Sequence, residues 1–111
     1  MYIEFNPETN SLECINEDIT TILKILREFL ENWIVIRNIG INNNYRIEFR
    51  FKLITRLHLI ITQTKEGVII NIHEDVVRHQ GEFTERCRNI MKEIKRIITE
   101  CNKKRREDIE N

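Results

Sequence analysis

The residues of this 111-residue chain best suited to acid–base or metal chemistry are His58, His73, Asp75 and His79. Neutral imidazole is a common ligand of transition metals, and two imidazoles with a carboxylate suit Zn, Fe or Mn. His58 lies in the alternating run Leu57-His58-Leu59-Ile60-Ile61-Thr62, and His73 ends the run Val68-Ile69-Ile70-Asn71-Ile72-His73. Pairing the apolar rows of these runs about Thr64-Lys65-Glu66-Gly67 sets Leu59 opposite Ile72 and Ile61 opposite Ile70. His58 then falls opposite His73 on the other face, with Cβ atoms ~5 Å apart. Asp75, two residues further on, projects to the same side, and Glu74 is close by. The plainer reading is a solvated sheet face ending in a turn, because motifs this short recur by chance. The four residues therefore stand as candidates, and no metal or other cofactor is expected.

Two basic surfaces are the other candidates. In Tyr45-Arg46-Ile47-Glu48-Phe49-Arg50-Phe51-Lys52-Leu53 the side chains alternate strictly, so Arg46, Arg50 and Lys52, interrupted by Glu48, share one face of a strand. That face also receives His58, Ile60, Thr62, Ile69 and Asn71. A mixed apolar and basic sheet face suits contact with a partner, and Ile54, Ile60 and Ile69 are the residues expected at an interface. The second surface is helical. At 100° per residue Arg88, Lys92, Lys95, Arg96, Lys103 and Arg106 form a ridge opposite an apolar stripe, ~27 Å long at 1.5 Å per residue. Like charges at i,i+4 oppose their own helix by a few tenths of a kcal/mol, which invites an acidic partner such as nucleic acid or an acidic protein. Against that, charge runs are commonly only solvated.

No nucleophile motif, P-loop, Gly-rich nucleotide fingerprint or zinc-knuckle spacing occurs. Cys14, Cys87 and Cys101 form no C-x-x-C pair and read as reduced thiols of a cytoplasmic protein. No apolar run approaches the roughly 18 residues of a membrane span, so no membrane partner is expected. The N-terminus opens with an acid where a signal peptide carries bases, so export is not expected either. Charged residues make up 32% of the chain, with no alanine and an excess of isoleucine and asparagine. Such a surface resembles that of thermophile proteins and suits an archaeal or mobile-element origin. Formal net charge is zero, which weighs against indiscriminate nucleic-acid binding. Residues 1–32 nevertheless carry seven acids and two bases, while residues 82–111 carry nine bases and seven acids.

The elements that must position these groups follow from periodicity. Tyr2–Phe5 and Ser11–Ile15 read as short strands about an Asn-Pro turn. Asn16 reads as an N-cap, followed by an amphipathic helix along Ile19, Ile22, Leu23, Leu26, Phe29, Leu30 and Trp33. A strand from Trp33 to Ile36 ends in a turn built from Gly40 and Asn42–Asn44. The next hairpin sets Phe51 against Leu59 and Lys52 against His58, with Ile54-Thr55-Arg56 as its loop. After Gly81 comes a helix of roughly 25 residues with Phe83, Cys87, Ile90, Met91, Ile94, Ile97, Ile98 and Cys101 inward.

The expected fold is α+β: a single antiparallel sheet in β-α-β4-α order, with or without an extra N-terminal hairpin strand, and two helices on one face. Residues 1–106 make one domain, with a frayed tail at 107–111. The order resembles the TATA-binding-protein half-repeat and the helix-grip folds, in topology alone. The leading functional expectation is a non-catalytic binding domain forming a homodimer through the sheet face or edge. Nucleic-acid binding by the basic surfaces is second, and a nuclease-like metal enzyme around His58 and His73 is third.

Overall fold

The structure, a computed structural model, describes residues 2–6, 8–41, 44–75 and 84–110, without the side chains of Ile41 and of residues 105–110. His79, the Gly81 break and Phe83 lie outside the described residues, as does the side chain of Arg106. Six strands form one antiparallel sheet: β1 (Tyr2–Asn6), β2 (Ser11–Ile15), β3 (Trp33–Ile41), β4 (Asn44–Phe51), β5 (Leu57–Gln63) and β6 (Gly67–Glu74). Their order across the sheet is β1-β2-β6-β5-β4-β3, so β1 and β3 are the edges. Helices α1 (Ile19–Ile25) and α2 (Glu85–Glu110) pack on one face. This is the expected α+β arrangement, with the N-terminal hairpin present. None of the described helices is long and apolar enough to cross a membrane.

Alternation builds the core. Leu12, Cys14, Ile47, Phe49, Leu57, Leu59, Ile61, Val68, Ile70 and Ile72 turn inward and meet Ile19, Ile22, Leu26, Cys87, Met91, Ile94 and Ile98 from the helices. Each fully buried aliphatic side chain contributes about 1.5–3 kcal/mol relative to exposure. Gly67 opens β6 at φ +153°, where an added Cβ would run into the Cys14 carbonyl oxygen, so the chain needs a residue without one.

Several local expectations are corrected. Asn16 is not the cap. It leaves β2 at φ 60° with its N–H donating to the Glu66 carbonyl (2.7 Å), while Asp18 caps α1 by accepting from the Thr20 N–H (2.7 Å). Helix α1 does not reach Trp33. It closes at Leu26, and after a turn a 3₁₀ segment spans Phe29–Asn32. Tightening the path there lets Trp33 enter β3 while packing between Phe29 (centroids 5.9 Å) and Phe51 (5.0 Å). Gly40 is not in a turn but inside β3, opposite Tyr45, whose ring leaves only 3.0 Å for a Cβ.

The β4–β5 register differs by two residues from the expected one. Phe49, not Phe51, pairs with Leu59, and Arg50, not Lys52, pairs with His58. Strand β4 ends at Phe51, and the Lys52 N–H adds one further bond to the Asn32 carbonyl (3.0 Å) in the β3–β4 register. Lys52 is thus exposed beyond the strand, Leu53 is 87% exposed, and Ile54 folds back against the core instead of joining the open face. At the other end α2 begins with Thr84 as cap, its Oγ1 accepting from the Cys87 N–H (3.3 Å), and continues past Arg106 to Glu110.

Candidate functional site

The β5–β6 hairpin is fixed by its turn. Thr64 donates its N–H to the Gly67 carbonyl (2.7 Å), and its Oγ1 accepts from the Gly67 and Glu66 amides (3.2 and 3.3 Å). Gln63 ties the same turn to the start of α1, accepting from the Ile19 N–H (2.7 Å) and donating to the Glu17 carbonyl (3.1 Å). The resulting register is the one read from the sequence, with His58 opposite His73, Leu59 opposite Ile72 and Ile61 opposite Ile70.

One further backbone bond completes the cluster. The Asp75 N–H donates to the Arg56 carbonyl (2.8 Å), which keeps the chain on the strand's line past Glu74. The Asp75 carboxylate therefore reaches back to His58 Nε2 (2.9 Å) and His73 Nε2 (3.5 Å). The two imidazoles stack, with centroids 5.1 Å apart and planes 14° off parallel. Burial holds His73 below the ordinary histidine pKa; the Asp75 charge opposes that shift and His58 adds to it. The ring is thereby biased to its neutral, ligating form. His58 is the more enclosed of the two histidines, and Asp75 is largely exposed.

Around this cluster lies the rest of the uncovered face. Arg50 stands across from His58, and its Nε is buried without a hydrogen-bond partner among the described residues. Sequence reasoning missed that neighbour because the residue opposite His58 depends on the β4–β5 register. Glu48 is held between Arg46 (2.9 Å) and Arg37 (3.7 Å), so Arg46 is engaged within its own sheet. Ile60 and Ile69 lie on this face, partly buried. The structure thus brings His58, His73 and Asp75 together beside Arg50, and does not bring Lys52 or Ile54 to them.

The helical ridge is also present. Arg88, Lys92, Lys95, Arg96 and Lys103 are exposed on α2, with Arg96 bound to Glu100 (3.1 Å). Arg88, Lys92 and Lys95 rim a cavity of about 240 Å³ floored by Phe5, Leu12 and Met91.

A feature that sequence reasoning did not single out is edge strand β3. Ile34, Val35, Ile36 and Ile39 are all 38–53% exposed there, and a β-bulge falls between Val35 and Arg37. The signal was in the run Trp33-Ile34-Val35-Ile36. A strand with one solvated face alternates apolar with polar, and four consecutive apolar residues mean that both faces seek cover.

No protein-family model matches the sequence, and no curated protein or solved structure is significantly similar to it. The likeness to TATA-binding-protein and helix-grip topologies accordingly rests on element order alone.

Proposed function

We propose that this protein is a non-catalytic binding domain that pairs with a second copy of itself through edge strand β3. One observation carries the reading: a nine-residue edge strand with four exposed aliphatic side chains and one charge. Edge strands of monomers are commonly blunted by lysine, proline or shortness, since unpaired backbone groups template further pairing. The opposite edge, β1, is short and carries Glu4. In β3 the single charge, Arg37, is engaged by Glu48, so two copies pairing antiparallel about a twofold axis bring no unpaired like charges together. Pairing would satisfy the free backbone groups and remove the aliphatic side chains from water in the same step.

Sedimentation velocity tests the proposal directly. Dimer is expected at about 10–100 μM, as for an ordinary weak to moderate homodimer. Val35→Lys with Ile36→Lys is expected to give a folded monomer across that range. A wild-type monomer at about 100 μM would refute the pairing.

The exposed α2 ridge favours a second reading, nucleic-acid binding. Lys92, Lys95, Arg96 and Lys103 meeting four phosphates would give a log–log salt slope of roughly −3.6 on any duplex. A slope steeper than about −3, lost on Lys92→Glu with Arg96→Glu, would put that reading first.

A further inference from the structure

The ligating atoms of His58, His73 and Asp75 all lie within 4.8 Å of one another. Tetrahedral Zn²⁺ with bonds of about 2.0–2.1 Å keeps its ligand atoms ~3.3 Å apart. His58 Nε2 lies 2.9 Å from one Asp75 carboxylate oxygen and His73 Nε2 3.5 Å from the other, so both imidazoles already approach the carboxylate at about that spacing. The two imidazoles are stacked, so closing on one point requires a ring to turn out of the stack, and His73, at 48% side-chain exposure, has room to make that turn. We propose that His58, His73 and Asp75 form a binding site for a divalent metal of the Zn²⁺, Co²⁺ and Ni²⁺ class, with one coordination position open to water or an exogenous ligand.

The chemistry of the donor set selects that class. Two neutral imidazoles and one carboxylate suit borderline metals, whereas Mg²⁺ and Ca²⁺ call for oxygen ligands in larger number. The backbone supplies preorganisation: His58 and His73 are direct cross-strand partners, and the Asp75 amide is clamped to Arg56. Each ligand is thus placed by a hydrogen-bonded ladder and not by a loose loop. Three protein ligands are the number used by sites that keep a position free. Arg50, across from His58, works in two directions. Its charge lowers the affinity for a bare cation, and it favours an anion at the open position.

The site is independent of β3 pairing, so the monomeric Val35→Lys, Ile36→Lys protein should bind metal as the wild type does. Untagged protein, first stripped with chelator, is titrated calorimetrically with Zn²⁺ alone and followed by visible absorption with Co²⁺ alone. One metal per chain is expected, with Kd on the order of 1–10 μM, and saturating Zn²⁺ should raise the melting temperature by mass action. Asp75→Asn and His73→Ala alter exposed positions and should keep the native circular dichroism. Each should weaken Zn²⁺ binding by at least about tenfold and abolish the thermal shift. Cys101→Ser should bind as the wild type does. Failure to bind one Zn²⁺ per chain below about 100 μM would overturn the proposal. So would less than a tenfold loss in both variants, or dependence on Cys101.

Discussion

Strands β5 and β6 present opposite faces to very different surroundings. Leu57, Leu59, Ile61, Val68, Ile70 and Ile72 lie beneath the helices and are almost wholly inaccessible. His58, Ile60, Thr62, Ile69, Asn71 and His73 alternate with them on a face that none of the described helices covers. The backbone is common to both faces, so the difference lies entirely in what the side chains meet. On the covered face a side chain is constrained by close packing, and any change of volume is felt. On the open face packing constrains less, so groups that a core would exclude can gather: two histidines, an aspartate and an arginine. Stability is therefore concentrated on one side of the sheet and chemistry on the other.

Adjacent residues of β6 put this contrast to its strongest test. Ile70→Ala removes a fully buried side chain and should destabilise the fold by about 2–5 kcal/mol, measured by urea unfolding. Ile69→Ala, one residue away on the open face, should cost less than about 1.5 kcal/mol at concentrations where the chain is monomeric. Equal losses would mean that the open face is covered after all. Gly67→Ala comes next in size. The Cys14 carbonyl and the Asn16 N–H both belong to backbone and cannot yield as a side-chain tip would, so a loss of about 1–3 kcal/mol is expected. A change of less than about 0.5 kcal/mol would show that β2 shifts freely against β6.

The parts of this molecule legible in the sequence are those fixed locally. The β5–β6 register could be read because the tight Thr64–Gly67 turn selects one of the pairings that alternation allows, and the His58–His73–Asp75 cluster followed from it. The β4–β5 register could not be read in the same way. Sliding the pairing by two residues leaves every side chain on its proper face, so alternation is blind to that error. Phe51 and Lys52, which the expected pairing set against β5, instead pack and bond with Trp33 and Asn32 on the other side of β4, contacts that no pattern within the hairpin reveals. The end of α1 was hidden for a related reason. Leu26, Phe29, Leu30 and Trp33 pack toward the core whether the path is α-helical or 3₁₀, so their spacing does not distinguish the two. The run Trp33-Ile34-Val35-Ile36 marked β3 as a strand in need of cover, but its place at the edge depends on strand order across the sheet, which no local pattern encodes.

The cysteines extend the comparison between covered and uncovered positions to reactivity. Cys14 and Cys87 are each 1% exposed. Burial pushes the Cys14 thiol up to about 12 and raises that of Cys87 as well. The thiolate is the reactive form, so both should stay inert to a disulfide reagent at about pH 8 until the protein unfolds. Cys101 is only partly covered and should react first. Prompt labelling of more than one thiol per native chain would show that the helix layer opens readily over the sheet.

Helix α2 repeats the contrast on a single element, and there the smallest effect is expected. Its inner face buries Cys87, Met91, Ile94 and Ile98, while Lys92 and Arg96 stand in solvent on the outer one. Replacing both by glutamate breaks the exposed Arg96–Glu100 pair, which at i,i+4 contributes about 0.3–0.5 kcal/mol, and sets a like charge at position 96 against Glu100, a further cost of about 0.2–0.5 kcal/mol. The double change also ends the Arg88–Lys92 repulsion and sets a carboxylate at position 92, one turn from Arg88, each an effect of about 0.2–0.5 kcal/mol in the opposite sense. A new like-charge pair between positions 92 and 96 takes the place of the old one, so that contribution is nearly unchanged. The gains at Arg88 and the losses at Glu100 nearly cancel, and the unfolding free energy should move by no more than about 0.5 kcal/mol. Met91→Ala, next to Lys92 but on the inner face, should cost about 2–5 kcal/mol in the same assay. A double reversal costing more than about 1 kcal/mol would mean that the ridge is not merely solvated but is held by a partner surface, and the sedimentation profile of the same variant would show whether that surface is another copy of the chain.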